Sequence, residues 1–324
     1  MNRRHVLRQF AVTSLAASFG GFVRAQTGKP VRIVIPYSPG GAPDIVARIL
    51  AQQLGVILDQ PFVVENIPGS SGIAAIESIK SLPSDGTALI MMDAGHWAVN
   101  RFTKQKLPYD FQRDLAPLTI AATQALYLTV HESFPASNLK ELVAAVKARP
   151  GTYTYGSSGI GSVHHLTMEA FKAGLGLDIL HVPFRGAGQS VPALVGGQVH
   201  MAMVGYNALA GFAKQGKVRI IAGNTRESMS ILPQFPPMAD AGLKDFHFPG
   251  ENALFVKADT PRAVADKLAA AVVKVLAQPD TVAKLHAAGL EPPRNPGPAP
   301  LSETIRRDIP RYEQAVRAAG LQPE

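Results

Sequence analysis

Four glycine-rich turns have the residue types needed to bind an anion, because each separates a short apolar run from an amphipathic stretch. The turns are Gly40-Gly41, Gly69 to Gly72, Gly156 to Ser162 and Arg185 to Gly188. A strand, a glycine turn and a helix N-terminus together present free backbone N–H groups and the positive end of a helix dipole. The serine hydroxyls that add further donors are those of Ser71, Ser157, Ser158 and Ser162. Four such turns in one chain suit a carboxylate, although any one alone could be an ordinary connection.

Three kinds of polar side chain stand beside these turns. His164 and His165 fall in the first turn of a predicted helix, so one of them should face the loop, as a ligand donor or as a partner of local backbone. Arg185 could pair with a carboxylate through two parallel hydrogen bonds or be a solvated turn residue. Asp44 opens the first predicted helix, where an acid is stabilised by the dipole, and it could also contact a ligand.

Motifs for other chemistries are missing or incomplete. The chain has no cysteine, which excludes thiolate catalysis, thiolate metal sites and disulfides. It has no Walker lysine, no G-x-S-x-G motif and no H-E-x-x-H spacing among its nine histidines. The segment GIGSVH resembles the start of a dinucleotide fingerprint but lacks the third glycine. We therefore expect no cofactor, no metal and no catalysis.

The elements that must position the turns alternate between strand and helix, which predicts an α/β fold with mainly parallel sheets. Val31, Ile33 and Ile35 form the first buried strand, and Pro43 suits the first turn of the helix that follows. In such sheets ligands bind at the carboxyl ends of the strands. Two glycine turns from each half of the chain should then face each other across a cleft. A later helix is predicted with Thr260 as its cap and Pro261 as its opening residue.

Length and charge set limits on the class of protein. The chain has 324 residues, of which 46% are hydrophobic and 17% charged, enough for two domains with sizeable cores. Residues 1–25 combine early arginines, an apolar stretch and a small-residue cleavage pattern, which predicts an export signal resembling the twin-arginine type. This segment holds four arginines and no acid, so without it the formal charge falls from +8 to +4. That value favours anionic small ligands and does not call for nucleic acid.

Several long segments, in order, resemble one family. They are IVIPYSPGGAPDIVAR, VVENIPGSSG, KLPYDFQRDLAPLT, YGSSGIGSVHHL, HVPFRGAGQSVPALVGGQV and ALFVKADTP. These segments resemble the substrate-binding proteins of tripartite tricarboxylate transporters, also called the Bug family of periplasmic solute receptors. The resemblance implies a two-domain periplasmic-binding-protein clamshell of type II, or Venus flytrap, with ligand held between the lobes. It also implies a small organic acid as ligand and the permease subunits of a tripartite transporter as partner.

The resemblance also implies which residues bind. Gly40, Gly41 and their neighbours would hold one ligand carboxylate, while the loop around Ser158, Ser162 and His165 would contribute from the other lobe. His165, not His164, lies at the family's histidine. The predicted ligand-binding residues are Tyr37, Gly40, Gly41, Asp44, Ser71, His96, Ser157, Ser158, Ser162, His165, Arg185, Gly186, Gly188 and Tyr206.

The sequence departs from the family pattern in two places. Ala42 and Pro43 replace hydroxyl residues, and Val204-Gly205 replaces an acid-amide pair that many members carry beside the position of Tyr206. The loss of that acid argues against a ligand that needs a partner for an ammonium group. A more apolar pocket with Tyr206 would suit an aromatic or otherwise less polar acid.

The predicted organisation is a leader at 1–25, one lobe made of 26–126 and 248–324, and a second lobe at 127–247. The crossing strands should lie near Leu118 to Thr129 and Asp245 to Val256. We expect a periplasmic monomer that binds an acid and performs no chemistry. Two alternatives remain at this stage. One is an exported hydrolase or isomerase with His165 as general base, and the other is an intracellular NAD-type oxidoreductase.

Overall fold

A computed structural model describes residues 28–184, 186–243 and 246–323. The predicted export signal at 1–25, the candidate Arg185 and the start of the second crossing segment at Asp245 lie outside the described residues.

The described elements alternate along the chain. The strands are β1 Val31–Ile35, β2 Phe62–Asn66, β3 Ala88–Met92, β4 Leu115–Gln124, β5 Leu126–His131, β6 Thr154–Ser157, β7 Leu180–Pro183, β8 Met201–Gly205, β9 Val218–Gly223 and β10 Gly250–Lys257. The helices are α1 Ala42–Leu58, α2 Ile73–Lys80, α3 Asn100–Thr103, α4 Phe111–Asp114, α5 Leu139–Ala148, α6 Val163–Leu175, α7 Ala187–Val195, α8 Tyr206–Lys214, α9 Arg262–Leu276, α10 Pro279–Ala287 and α11 Pro298–Ala318. A π-helical turn spans Gly95–Val99 and leads into α3.

The strands form two five-stranded sheets with the same plan. One sheet has the order β2-β1-β3-β10-β4 and the other has the order β7-β6-β8-β5-β9. In each sheet three neighbouring strands are parallel, the fourth is antiparallel and the fifth is antiparallel to the fourth. Four of five strands thus point the same way, and the sheets are mixed rather than purely parallel. This two-lobed α/β arrangement is the predicted periplasmic-binding-protein fold.

The chain crosses between the sheets where β4 passes into β5 through Ala125, and β10 later returns to the first sheet. The two extended pieces that the sequence predicts between Leu115 and His131 are these strands, β4 and β5. Strands β3 and β8 are buried along their whole length. Both therefore lie inside their sheets and are covered on both faces, which is why they are continuously apolar.

Helix α11 joins the cores of the two lobes. It packs against the π-helical turn, β4 and α6, so it contacts elements from both sheets. Its residue Tyr312 meets Phe248 edge-on at 5.4 Å between ring centroids, and Trp97 lies 5.8 Å from Phe255 on β10. One continuous apolar cluster consequently runs from the first lobe through α11 into the second. In the part of the chain that the structure describes, no helix has the length and apolar character to cross a membrane.

Two local predictions differ from the structure. Thr260 does not cap α9: the position before the helix is Pro261, and the backbone of Thr260 closes a turn by donating to the Lys257 carbonyl at 3.1 Å. In addition, no helix is predicted from the sequence between β8 and β9, where the structure has α8. The helix begins directly at the end of β8, so that Tyr206 is its first residue.

Candidate functional site

The carboxylate of Asp93, directly after β3, joins the loops of the first lobe. It accepts hydrogen bonds from the Tyr37 hydroxyl at 2.6 Å, from the Gly95 N–H at 2.9 Å and from His96 Nδ1 at 3.1 Å. Burial alone would raise the pKa of Asp93, but the hydrogen bonds from His96, Tyr37 and Gly95 outweigh burial and lower it. Since Tyr37 follows β1, this ionised side chain fixes the loop after β1 against the loop after β3.

The loop after β2 is held against the same network. Gly72 has φ +79°, and a Cβ at this position would lie 2.4 Å from the ring of His96, so only glycine fits. Asn100 donates from its side chain to the Ser71 carbonyl at 2.8 Å. His96 is 4% exposed, and the edge of its ring meets Tyr37 at 5.3 Å. The three loops that carry Tyr37, Ser71 and His96 are therefore held together in the first lobe.

The first glycine turn takes its shape from Asp44. The buried Asp44 carboxylate accepts from the Gly40 N–H at 3.0 Å, from Nε and Nη2 of Arg48 at 3.0 Å each and from Asn66 at 3.1 Å. Burial opposes ionisation, but these hydrogen bonds dominate and lower the pKa of Asp44. With its oxygens so occupied, Asp44 supports the turn rather than presenting a free carboxylate to the cleft.

Asp44 bonds the Gly40 N–H and leaves the N–H groups at the start of α1 available to a ligand. The Gly40 N–H is already bonded, but the first N–H groups of α1 have no acceptor within a helix. A Cβ built on Gly41 would have Pro43 Cδ, at 3.7 Å, as its nearest described neighbour. There is thus open space in front of Gly41 at a helix N-terminus, which is a favourable place for an anion.

The corresponding loop of the second lobe, residues 157–162, is also held by its own side chains. The Ser157 hydroxyl lies 2.7 Å from His181 Nε2 and accepts from the Gly159 N–H at 3.1 Å. Ser162 caps α6 by accepting from the His165 N–H at 3.2 Å, and Gly161 donates to His165 Nδ1 at 3.1 Å. Ser157, Ser162 and His165 thus set the loop's conformation.

Ser158 differs from its neighbours in this loop. Its hydroxyl oxygen is buried and has no hydrogen-bond partner among the described residues. A buried hydroxyl without a partner is costly, and a ligand or water that bonded it would remove this cost. Ser158 is consequently the side chain of this loop best placed to donate to a ligand.

A stack of aromatic rings packs against the same loop. The rings of His165 and His181 are parallel at 4.0 Å, and Tyr155 stacks on His181 at 4.8 Å. Burial lowers the pKa of His165, and burial together with the neighbouring His165 lowers the pKa of His181 to about 4. Both imidazoles are therefore neutral at pH 7. Because His165 Nδ1 already accepts the Gly161 N–H, this nitrogen is not free to act as a base.

We expect this stack to make the protein less stable in mild acid. A histidine whose pKa is lowered by folding binds protons more readily in the unfolded chain, so stability is lost as pH falls from about 6.5 towards 4. Melting temperatures measured across this range should fall less steeply for His181→Gln than for the wild-type chain. The exposed His286→Gln is the matched control and should follow the wild-type slope. Equal slopes for all three proteins would show that the stack does not titrate in this way.

The fourth glycine turn precedes α7. Gly186 has φ +129°, and its carbonyl accepts from the Gln189 and Ser190 N–H groups. A Cβ added at Gly186 or Gly188 would meet no described heavy atom within 4 Å, so both face open space. The Phe184 N–H donates to the Ser157 carbonyl at 3.1 Å, which ties this turn to the loop at 157–162.

Tyr206 has a different environment. Its ring packs with Tyr127 at 6.2 Å and Phe235 at 6.1 Å, and a Cβ at Gly289 would lie 3.2 Å from it. Gly289 lies between α10 and Glu291, which pairs with Thr123 of β4 in the first sheet, so Tyr206 contacts a segment attached to the other lobe. Its half-buried ring is thus part of an aromatic cluster at the lobe contact.

Sequence reasoning missed two residues of this architecture. Asp93 and Asn100 each fix a candidate loop through side-chain hydrogen bonds, while His181, which the sequence predicts to be structural, supports the loop at 157–162. The one available signal was that Asp93 directly follows a buried parallel strand, the position where sheet proteins place ligand-site residues. Within the described residues, no group of three histidine or acidic side chains is close enough to hold a metal.

The chain is similar to known proteins over nearly its whole length. A family model described as "Tripartite tricarboxylate transporter family receptor" matches residues 46–321. A UPF0065 protein of Bordetella pertussis is 30% identical over 322 residues, which are 98% of each chain.

Two solved structures extend the comparison. An R. palustris protein, Rpa4515, solved with adipate, superposes with a TM-score of 0.83 at 28% identity, covering 91% of this chain and 98% of the other. The periplasmic binding protein BugD gives a TM-score of 0.79 at 26% identity, covering 91% and 99%. The likeness therefore extends over both lobes.

Proposed function

This chain belongs to the tripartite tricarboxylate transporter receptor family, and on that premise we propose that it captures a small organic acid between its two lobes. The observation that carries the proposal is that each lobe has a glycine-rich loop held rigidly by its own buried side chains. Asp44 fixes the turn at Gly40, and Ser157 with His165 fixes the loop at 157–162. Loops fixed in advance lose little entropy when a ligand binds, which favours affinity.

The proposed ligand group is a carboxylate. In the first lobe the start of α1 offers N–H groups at the positive end of a helix, and in the second lobe Ser158 and the start of α6 offer the same kind of donors. Adipate, the ligand of the R. palustris neighbour, is an acid of this class. A ligand that contacts both lobes would favour the closed arrangement, since it binds that state better.

The proposed setting is the periplasm. The arginines and apolar stretch of residues 1–25 support export, and the neighbour BugD is a periplasmic binding protein. The proposed lobes are 26–126 with 248–324, and 127–247, which fits the division of strands between the two sheets. The mature monomer would deliver its ligand to the permease subunits of a tripartite transporter.

An exported hydrolase or isomerase is the weaker candidate. It would need His165 as general base, but His165 Nδ1 accepts a backbone N–H and its ring is stacked on His181. Ser157 bonds to His181 at 2.7 Å, yet it is 1% exposed and its oxygen also takes the Gly159 N–H. A buried hydroxyl engaged in this way has no access to a substrate carbonyl.

Thermal unfolding of the mature chain from Gln26 onward tests the proposed function. The panel contains aliphatic dicarboxylates including adipate, tricarboxylates, aromatic acids and amino acids. A ligand at 100 times its Kd adds about 2.7 kcal/mol, which raises the melting temperature by roughly 2–4 °C per kcal/mol in a chain of this size. We expect one class to raise it and to be recovered unchanged after long incubation. No shift with any acid would contradict a carboxylate receptor, and a converted ligand would favour the enzyme.

A further inference from the structure

A small cavity lies between the lobes beside the crossing strands. Its volume is about 40 Å³, enough for one or two water molecules or one group of similar size. We call it the hinge cavity; its lining residues are Asp93, Ala94, Gln124, Leu126, Val163, His164, Pro249, Gly250, Glu251 and Tyr312. They come from the loop after β3, the two crossing segments, α6 and α11, so both lobes contribute.

The hinge cavity adjoins both halves of the candidate site. Asp93 belongs to the network that fixes Tyr37 and His96 in the first lobe. His164 follows Ser162, which ends the loop at 157–162 in the second lobe, by two residues. The hinge cavity would therefore lie beside a ligand held by the two glycine loops, on the side where the strands cross between the lobes.

Tyr312 brings a buried, unpartnered hydroxyl to the cavity. The residue is 1% exposed, and its hydroxyl has no hydrogen-bond partner in the described part of the chain. Burial raises the pKa of Tyr312, and the nearby carboxylates of Asp308, Asp93 and Glu251 raise it further. This buried hydroxyl consequently lies in the field of several negative charges and lacks a group to bond.

Two carboxyl groups, those of Asp93 and Glu251, line the cavity, and neither lysine nor arginine is among its described lining residues. Asp93 already accepts from Tyr37, Gly95 and His96, so Glu251 is the carboxyl group with capacity left for a further donor. Burial lowers the pKa of His164, so this imidazole supplies no positive charge at neutral pH.

The cations nearest Glu251 do not offset the effect of its burial. Arg307 approaches the Glu251 carboxylate only to 3.9 Å, and Arg311 pairs with Asp308 at 3.2 Å. Burial and the neighbouring Asp308 raise the pKa of Glu251 to about 7 despite these arginines. The main cause is burial, and an occupant of the cavity that donates a hydrogen bond to the Glu251 carboxylate would offset it.

We propose that the hinge cavity receives the protonated amino group of the ligand, so that this receptor takes amino-substituted carboxylic acids. The size of the cavity, the Glu251 carboxyl group and the unpartnered Tyr312 hydroxyl suit one ammonium group, which donates three hydrogen bonds, and the Asp93 carboxylate adds negative charge beside it. The inference rests on the proposed function, because the glycine loops must hold the carboxylate. Glu251 on β10 and Asp93 after β3 would then supply the negative charge that the sequence lacks after β8.

Titration calorimetry on the mature chain with matched pairs of ligands tests the inference. The pairs are glycine with acetate, 4-aminobutyrate with butyrate, 2-aminoadipate with adipate, and phenylalanine with 3-phenylpropionate. At pH 8, where Glu251 is ionised, we expect the amino member of at least one pair to bind about 10-fold tighter or more, the value of a charged hydrogen bond.

The variant Glu251→Gln adds a sign test. Removing this negative charge should weaken the amino ligand about 10-fold and should leave its plain acid equally tight or tighter. Structural damage would weaken both members of the pair. Glu303→Gln, the same change at an exposed position of α11, is the matched control and should alter neither.

Tyr312→Phe provides a second variant in case Glu251→Gln folds poorly. It removes a hydroxyl that has no partner, so the unliganded protein should keep its melting temperature while the amino ligand binds several-fold more weakly. If the plain acids bind as tightly as their amino partners, the inference is wrong. The carboxylate receptor would still stand, and the cavity would hold only water. Failure of every pair to bind would overturn the proposed function as well.

Discussion

Replacing Gly41 with valine is expected to abolish acid binding while leaving the mature chain folded. Gly41 has φ −78°, which valine adopts without strain, and the described protein atom nearest an added Cβ is Pro43 Cδ at 3.7 Å. The valine methyl groups would instead occupy the space over the first N–H groups of α1, where we place the carboxylate. We expect affinity to fall by about 100-fold or more, as for the loss of two charged hydrogen bonds. Calorimetry with the acid that gives the largest thermal shift measures this.

Gly211→Val is the matched control for this variant. Gly211 lies in α8, and a Cβ there would also meet no described heavy atom within 4 Å. In helix preference alone, valine in place of glycine costs up to about 1 kcal/mol at an N-cap and gains a few tenths of a kcal/mol in a helix interior, so neither change should unfold the chain. Similar melting temperatures with binding lost only in Gly41→Val would support the site. Retained affinity in Gly41→Val would exclude this turn from the carboxylate's contacts.

Removing the Asp93 carboxylate should have the largest combined effect on stability and binding. Asp93→Ala leaves the Tyr37 hydroxyl, the Gly95 N–H and the His96 ring without their acceptor. Losing buried hydrogen-bond partners of an ionised group costs about 2–4 kcal/mol of unfolding free energy. Since the loops after β1, β2 and β3 meet at this side chain, we also expect acid affinity to fall by about 10-fold or more. Urea denaturation and calorimetry measure the two effects.

Asp259→Ala is the control for Asp93→Ala, because Asp259 is an exposed aspartate at 70% side-chain exposure. It should change the unfolding free energy by less than about 0.5 kcal/mol and leave binding intact. Tyr37→Phe removes one of the three donors and should give a smaller loss than Asp93→Ala. An Asp93→Ala protein with wild-type stability and affinity would show that the loops are positioned without this carboxylate.

The sequence predicts the glycine turns well because their signals are local. Gly40, Asp44 and Pro43 lie within one turn of chain, so their roles follow from dihedral preference and helix chemistry. Ser162 likewise stands directly before the helix that it caps. The alternation of strand and helix then suffices for the α/β class.

The supporting residues could not be predicted because they act across long stretches of chain. Tyr37 and Asp93 are 56 residues apart, and Ser157 and His181 are 24 apart, so their hydrogen bonds exist only once the sheets have formed. The hinge cavity depends on β10 lying beside β3, a neighbour from the far end of the chain. No local pattern distinguishes Glu251 from any other acid in a strand.

The central claim is that both lobes hold one unaltered acid. The most direct measurement is a crystal structure of the mature chain with the acid that gives the largest thermal shift. We predict an intact ligand whose carboxylate contacts the N–H groups at Gly41 and Ala42, with the loop at 157–162 closing from the other side. A ligand bound to one lobe alone, bound elsewhere, or chemically changed would contradict this account.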